Sequence, residues 1–94
     1  MISLDQKTPT EVACGIAERV RARRKERKLT QAEMSRKAGV SLGSYKRFEQ
    51  EGLISLDSLV KVAIALGCED DFESLFAQRS YASIQDVIAE SARP

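Results

Sequence analysis

The sequence has no histidine, no tryptophan, two cysteines and two prolines. Without histidine the commonest acid–base catalyst and metal ligand is missing, and nothing along the chain sets a nucleophile beside a base. The expectation is a protein that is not an enzyme and that takes no cofactor and no metal. Cys14 and Cys68 stand in apolar surroundings without Cys-x-x-Cys or Cys/His spacing, which reads as small buried side chains in a reducing compartment. No apolar run approaches the roughly 18 residues needed to span a bilayer. Met1–Thr10 has neither the basic start nor the apolar stretch of a secretion signal. A cytoplasmic protein with no membrane partner is therefore expected, and no small-molecule ligand is evident. At 94 residues the chain is one small domain that buries only about 60–65% of its unfolded surface, so oligomerisation is expected.

The net charge of +1 hides an asymmetry. Residues 1–50 carry 12 basic and 6 acidic side chains, whereas residues 51–94 carry 3 basic and 8 acidic ones. One half suits a polyanion, although a solvated basic helix gives the same count.

Local signals divide the chain into helices. Thr8-Pro9-Thr10-Glu11 reads as an N-cap, a proline at the first helical position and the acid of a capping box. That helix is expected to reach about Lys28, with Ala13, Ile16, Ala17 and Val20 on one face. Its last turns hold Arg19, Arg21, Arg23, Arg24, Lys25, Arg27 and Lys28, some of which the helix dipole alone favours. Thr30-Gln31-Ala32-Glu33 is a second capping box, opening a helix that carries Met34 and Ala38 inward and stops at Gly39. Ser41 caps a third helix from Leu42 to about Gln50. Ser55 caps a fourth bearing Leu56, Leu59, Val62, Ala63 and Leu66, with Gly67 as its stop. Acids at Glu69, Asp70 and Asp71 suit the start of a fifth helix holding Phe72, Leu75 and Phe76. Ser83-Ile84-Gln85-Asp86 reads as the start of a short sixth helix bearing Ile84, Val87 and Ile88. No segment alternates with period two, so the fold is expected to be all-α.

Residues 31–50 are two short helices around a tight turn, an arrangement able to lay one helix across DNA and aim the other into the major groove. At about 100° per residue, Tyr45 and Phe48 of the third helix face inward, and Leu42, Gly43, Lys46, Arg47 and Gln50 fill an outer arc. The arc has no acid. Lys46 and Arg47 have the reach for guanine O6/N7 or phosphate, Gln50 suits adenine, and Leu42 suits a thymine methyl. Gly43 costs about 1 kcal/mol of helix propensity against alanine but lets the backbone approach a ligand closely. Periodicity alone equally describes a solvated polar face.

Residues 16–76 resemble the helix-turn-helix domain of the Xre/Cro/phage-repressor family. The resemblance is carried by Leu29-Thr30-Gln31-Ala32-Glu33-Met34-Ser35-Arg36-Lys37-Ala38-Gly39-Val40-Ser41, by Tyr45-Lys46-Arg47-Phe48-Glu49 and by Ala63-Ile64-Ala65-Leu66-Gly67. It implies a five-helix, lambda-repressor-like fold over residues 9–76, after an N-terminal arm at 1–8. It also implies a DNA-binding set of Gln31, Ser41, Leu42, Gly43, Ser44, Lys46, Arg47 and Gln50. Gln31 resembles the glutamine that bonds a phosphate and buttresses the recognition helix, though a polar residue in a first turn needs no such role. Arg24 and Glu49 match a family ion pair joining the first helix to the third. The resemblance further implies repression of transcription by a homodimer on palindromic double-stranded operator DNA, in association with the nucleoid. Two departures stand out. Leu42 and Gly43 replace what are often polar reading residues, and Glu51 stands where the family often has a base.

The second half is similar to a subgroup of short regulators, HipB-like antitoxins that partner HipA-type serine/threonine kinase toxins. Gly43-Ser44-Tyr45-Lys46-Arg47-Phe48-Glu49, Ile54-Ser55-Leu56-Asp57-Ser58-Leu59 and Asp70-Asp71-Phe72-Glu73-Ser74-Leu75-Phe76 carry that likeness. It implies an antitoxin that binds its kinase and represses its own operon. A stand-alone Xre-type regulator and an adaptor that has lost DNA binding are the alternatives. Residues 77–94 form a C-terminal linker and short helix, whose stripe Ile84, Val87 and Ile88 needs a surface to dock on. That surface is the chain's own core, a second copy or the kinase.

Overall fold

In a computed structural model that describes residues 6–79, the chain forms α1 (Pro9–Glu26), α2 (Gln31–Ala38), α3 (Leu42–Glu51), α4 (Leu56–Ala65) and α5 (Asp71–Ser74). Among the described residues there is no strand. The sixth helix with Ile84, Val87 and Ile88 lies outside the described residues, as do residues 1–5 of the N-terminal arm.

The helix starts follow from side-chain capping. Thr8 Oγ1 accepts the Glu11 amide at 3.1 Å, and Thr30 Oγ1 accepts that of Glu33 at 3.0 Å. Each glutamate returns a bond to its cap, completing a capping box. Ser41 Oγ accepts from Ser44 N at 3.1 Å, and Ser55 Oγ from Ser58 N at 3.2 Å. Each such cap is worth about 1 kcal/mol. α1 ends at Glu26, two residues short of Lys28, with Arg27 as its C-cap. Lys28 takes a positive φ of 57°, and the Leu29 amide bonds back to the Arg24 carbonyl at 3.3 Å, a left-handed closure of the kind glycine usually supplies.

α1 packs on α3, and α2 packs on both α3 and α4. Their shared core is Ala17, Met34, Ala38, Tyr45, Phe48, Val62 and Leu66. The Tyr45 and Phe48 rings meet edge to face with centroids 6.3 Å apart. Burying these two rings anchors the inner face of α3 and leaves the opposite face outward.

Three expectations need correction. Leu56 is 69% exposed, because it lies at the edge of the buried arc in the first turn of α4, where no described residue covers it. Leu75 and Phe76 are 50% and 93% exposed, and the fifth helix is only four residues long. Asp70 provides no side-chain cap, and the amides of Asp71, Phe72 and Glu73 bond three residues back, to Cys68, Glu69 and Asp70. A single tight turn without apolar packing does not propagate. Both cysteines are free and half-buried rather than fully buried.

Candidate nucleic-acid interface

Once Tyr45 and Phe48 are inside, α3 presents Leu42, Gly43, Ser44, Lys46, Arg47 and Gln50 to solvent. Leu42 is 37% exposed. A Cβ built on Gly43 meets nothing within 4 Å, so the fold itself has no need of glycine there. Ser41 and Ser44 are spent partly on the helix start, where their hydroxyls are 2.8 Å apart.

The orientation of this face is set by one carboxylate. Arg24 Nε donates to Glu49 Oε2 at 2.8 Å, Arg24 Nη2 donates to Glu49 Oε1 at 3.1 Å, and Arg24 Nη1 donates to the Leu29 carbonyl at 2.7 Å. Gln31 Nε2 donates to the same Glu49 Oε1 at 3.0 Å. Glu49 thus ties α1, α2 and α3 at one point. The two side chains of the ion pair are 10% and 4% exposed. Burial pushes the Glu49 carboxyl up, but the hydrogen bond from Arg24, the neighbouring Tyr45 hydroxyl, the hydrogen bond from Gln31 and the Arg24 charge together outweigh it and hold the group below its ordinary value. The Arg24 guanidinium is correspondingly raised, its bond to Glu49 exceeding the cost of burial. Beside them the Tyr45 hydroxyl is buried without an aligned hydrogen bond, and burial pushes its phenol up.

Gln31 therefore spends one amide hydrogen on bracing α3, and its second remains for an outside acceptor. A shallow groove bounded by Arg21, Arg24, Thr30, Gln31, Glu49 and Gln50 opens beside it. A second groove runs between α3 and the start of α4, lined by Ser44, Arg47, Leu53, Ile54, Ser55 and Ser58.

Two contacts were not anticipated from the residues. Arg27 Nη2 donates to the Leu66 carbonyl, so this cation closes the end of α4 against α1 and belongs to the scaffold. No local signal marks that contact, since its partners are 39 residues apart. Arg47 Nε donates to Glu51 Oε2 at 3.0 Å, an i,i+4 spacing that was available in the sequence.

A helix capped by Thr30, turned at Gly39 and followed by an outward-facing capped helix is the geometry of a helix-turn-helix unit. A family model described as helix-turn-helix matches residues 20–72. The chain belongs to the helix-turn-helix family of the Xre/phage-repressor type. Over 52 residues it is 48% identical to the cryptic phage CTXphi transcriptional repressor RstR of Vibrio cholerae serotype O1 (strain ATCC 39315 / El Tor Inaba N16961). The match takes in 54% of this chain and 46% of that repressor, less than half of the relative's length. No helix among the described residues is long and apolar enough to cross a membrane.

Proposed function

We propose that this protein is a sequence-specific DNA-binding transcriptional repressor, acting in the cytoplasm as a homodimer on a palindromic operator, and not an enzyme. The observation that carries the reading is the outer face of α3. It is held rigidly from behind by the Glu49 hub, it is free of acids across the arc from Leu42 to Arg47, and it includes a helical glycine that the fold does not use. Such a face can lie in the major groove with Lys46, Arg47 and Gln50 toward the bases and Gln31, Ser41 and Ser44 toward the phosphates. Dimerisation fits the exposed apolar residues of the second half, among them Leu53 at 51%, Leu56 at 69% and Ile64 at 57%. Two copies on one face of the duplex place their recognition helices about 34 Å apart. The segment 77–94, with Ile84, Val87 and Ile88, is assigned to the dimer or partner interface.

A second reading is the antitoxin of a HipA-like kinase. It rests on the resemblance of residues 43–49, 54–59 and 70–76, and the exposed Leu75 and Phe76 fall within that stretch, where a partner has apolar surface to cover.

The DNA-binding reading is tested by titrating Lys46→Ala and Arg47→Ala against the promoter region of the protein's own operon at several salt concentrations. A lost base contact costs about 1–3 kcal/mol and relaxes specificity at one position, whereas a lost phosphate contact weakens all sequences alike and flattens the salt dependence. Parental affinity in both variants removes the assignment. Gly43→Ala separates fold from function. It gains about 1 kcal/mol of helix stability and loses operator affinity, and a variant that is more stable with unchanged binding takes Gly43 out of the interface.

A further inference from the structure

Among the described residues, Glu51 is the exposed acid on the reading helix, and its carboxylate is already occupied. On the helical wheel it stands about 40° beyond Arg47, and the two side chains, 65% and 56% exposed, form an ion pair. The atoms involved matter more than the pair's modest strength. Glu51 takes only the Nε of Arg47. By contrast, Arg24 has all three of its guanidinium nitrogens engaged, two by Glu49 and one by Leu29. Among the described residues, Nη1 and Nη2 of Arg47 have no hydrogen-bond partner. They form the planar, two-donor end of the group that matches two acceptors side by side.

A carboxylate on the side of a guanidinium has two effects. It restricts the orientations of a long, flexible side chain, and it offsets part of the positive charge available to an anion. A phosphate approaching Arg47 meets the Glu51 charge as well and is disfavoured. The guanine edge is neutral, presents O6 and N7 together, and is not penalised in this way.

We propose that Glu51 is a positioning residue that makes Arg47 a guanine reader and suppresses its use as a general phosphate contact. Glu51 thereby sets the ratio of operator binding to non-specific binding. The inference rests on the reading of α3 as the DNA-contacting helix.

The test compares the parent, Glu51→Gln, Glu51→Ala and Arg47→Ala, each alone, and Glu51→Gln combined with Arg47→Ala. The probes are a labelled duplex selected from a random-sequence pool by the parent protein and a scrambled duplex of the same composition. An exposed i,i+4 pair contributes little to folding, and circular dichroism should show parental helix content in every variant. Glu51→Gln is expected to tighten scrambled-duplex binding several-fold and to steepen its salt dependence, because one more phosphate contact becomes usable. Operator affinity should rise less, so that selectivity drops by about two- to threefold. Glu51→Ala, which also frees the Arg47 side chain, should in addition weaken operator binding. In the Arg47→Ala background, Glu51→Gln should no longer change the ratio. Equal gains on both duplexes in Glu51→Gln overturn the proposal, because the acid would then act only through bulk repulsion. A drop in selectivity that persists without Arg47 overturns it as well. Full operator affinity in Arg47→Ala alone overturns the proposal too, whereas failure of the underlying reading is seen separately, as full operator affinity in both Lys46→Ala and Arg47→Ala.

Discussion

Glu49→Gln is expected to lower the unfolding free energy by about 3 kcal/mol, a large share of the roughly 5 kcal/mol on which a small domain rests. The substitution leaves the Arg24 guanidinium buried with only the Leu29 carbonyl and a weak amide oxygen, and it loosens Gln31 at the same time. The loss is placed at the low end of the range for buried pairs, because Arg24 keeps a carbonyl partner and a tenth of its side chain reaches water. Urea denaturation measures it, and an unchanged midpoint would remove the ion pair from the scaffold. Replacing both members together, as Arg24→Met with Glu49→Leu, should recover part of the loss, since no charge is then stranded. The pair also gives stability a definite pH dependence. The folded Glu49 carboxyl titrates below its ordinary value. Its contribution is therefore complete above the unfolded carboxylate pKa of about 4.3 and is lost as the pH falls through the lower folded value. Glu33 adds in the same direction, since the Thr30 amide bonded to its carboxylate holds it low. Thermal midpoints should fall on acidification through this window, and Glu49→Gln should flatten part of that fall.

Gly52→Ala is the second large effect, expected to cost about 2–5 kcal/mol. Gly52 ends α3 at φ 73°, which an L side chain adopts at a cost of about 1–2 kcal/mol. A Cβ there also stands 3.0 Å from the Ala13 carbonyl carbon, the Ala13 Cβ and the Cys14 nitrogen. These are mostly backbone atoms of α1 that cannot swing aside, and such overpacking adds about 1–3 kcal/mol. Gly39 is the internal control, because its φ is 74° but its Cβ would meet nothing within 4 Å. Gly39→Ala should carry the conformational cost alone. Equal losses for the two variants in the same denaturation experiment would show that the close approach of α1 to the end of α3 is not tight.

What was legible in the sequence was whatever is decided within a few residues. Thr8, Thr30, Ser41 and Ser55 cap the helices they were expected to cap, because the bond from a cap to the third residue is local. Met34, Ala38, Tyr45 and Phe48 point inward because a 3.6-residue period leaves them no other face. Leu56, Leu75 and Phe76 were misplaced because periodicity says which face is apolar, not whether another element arrives to cover it. Arg24 and Glu49 were found through family resemblance, as nothing local marks two residues 25 apart. That Gln31 buttresses α3 came from the same resemblance, whereas the closure of α4 by Arg27 and the crowding at Gly52 depend on how whole helices are set against each other. Arg47 and Glu51 were different. Their spacing was visible, but Glu51 read as a departure from pattern, and only the folded structure shows which guanidinium nitrogen it occupies.

The separation between the Glu49 hub and the outer arc has an evolutionary consequence. Among the described residues, the side chains of Leu42, Lys46 and Gln50 form no hydrogen bond or ion pair with the rest of the chain, and Gly43 has no side chain to form one, while the groups that orient α3 lie on its other side. Substitutions on the arc therefore leave the scaffold almost untouched, whereas substitutions at the hub unsettle every arc residue at once. Lineages of such a protein can drift to new recognition sequences one outward residue at a time without passing through unfolded ancestors.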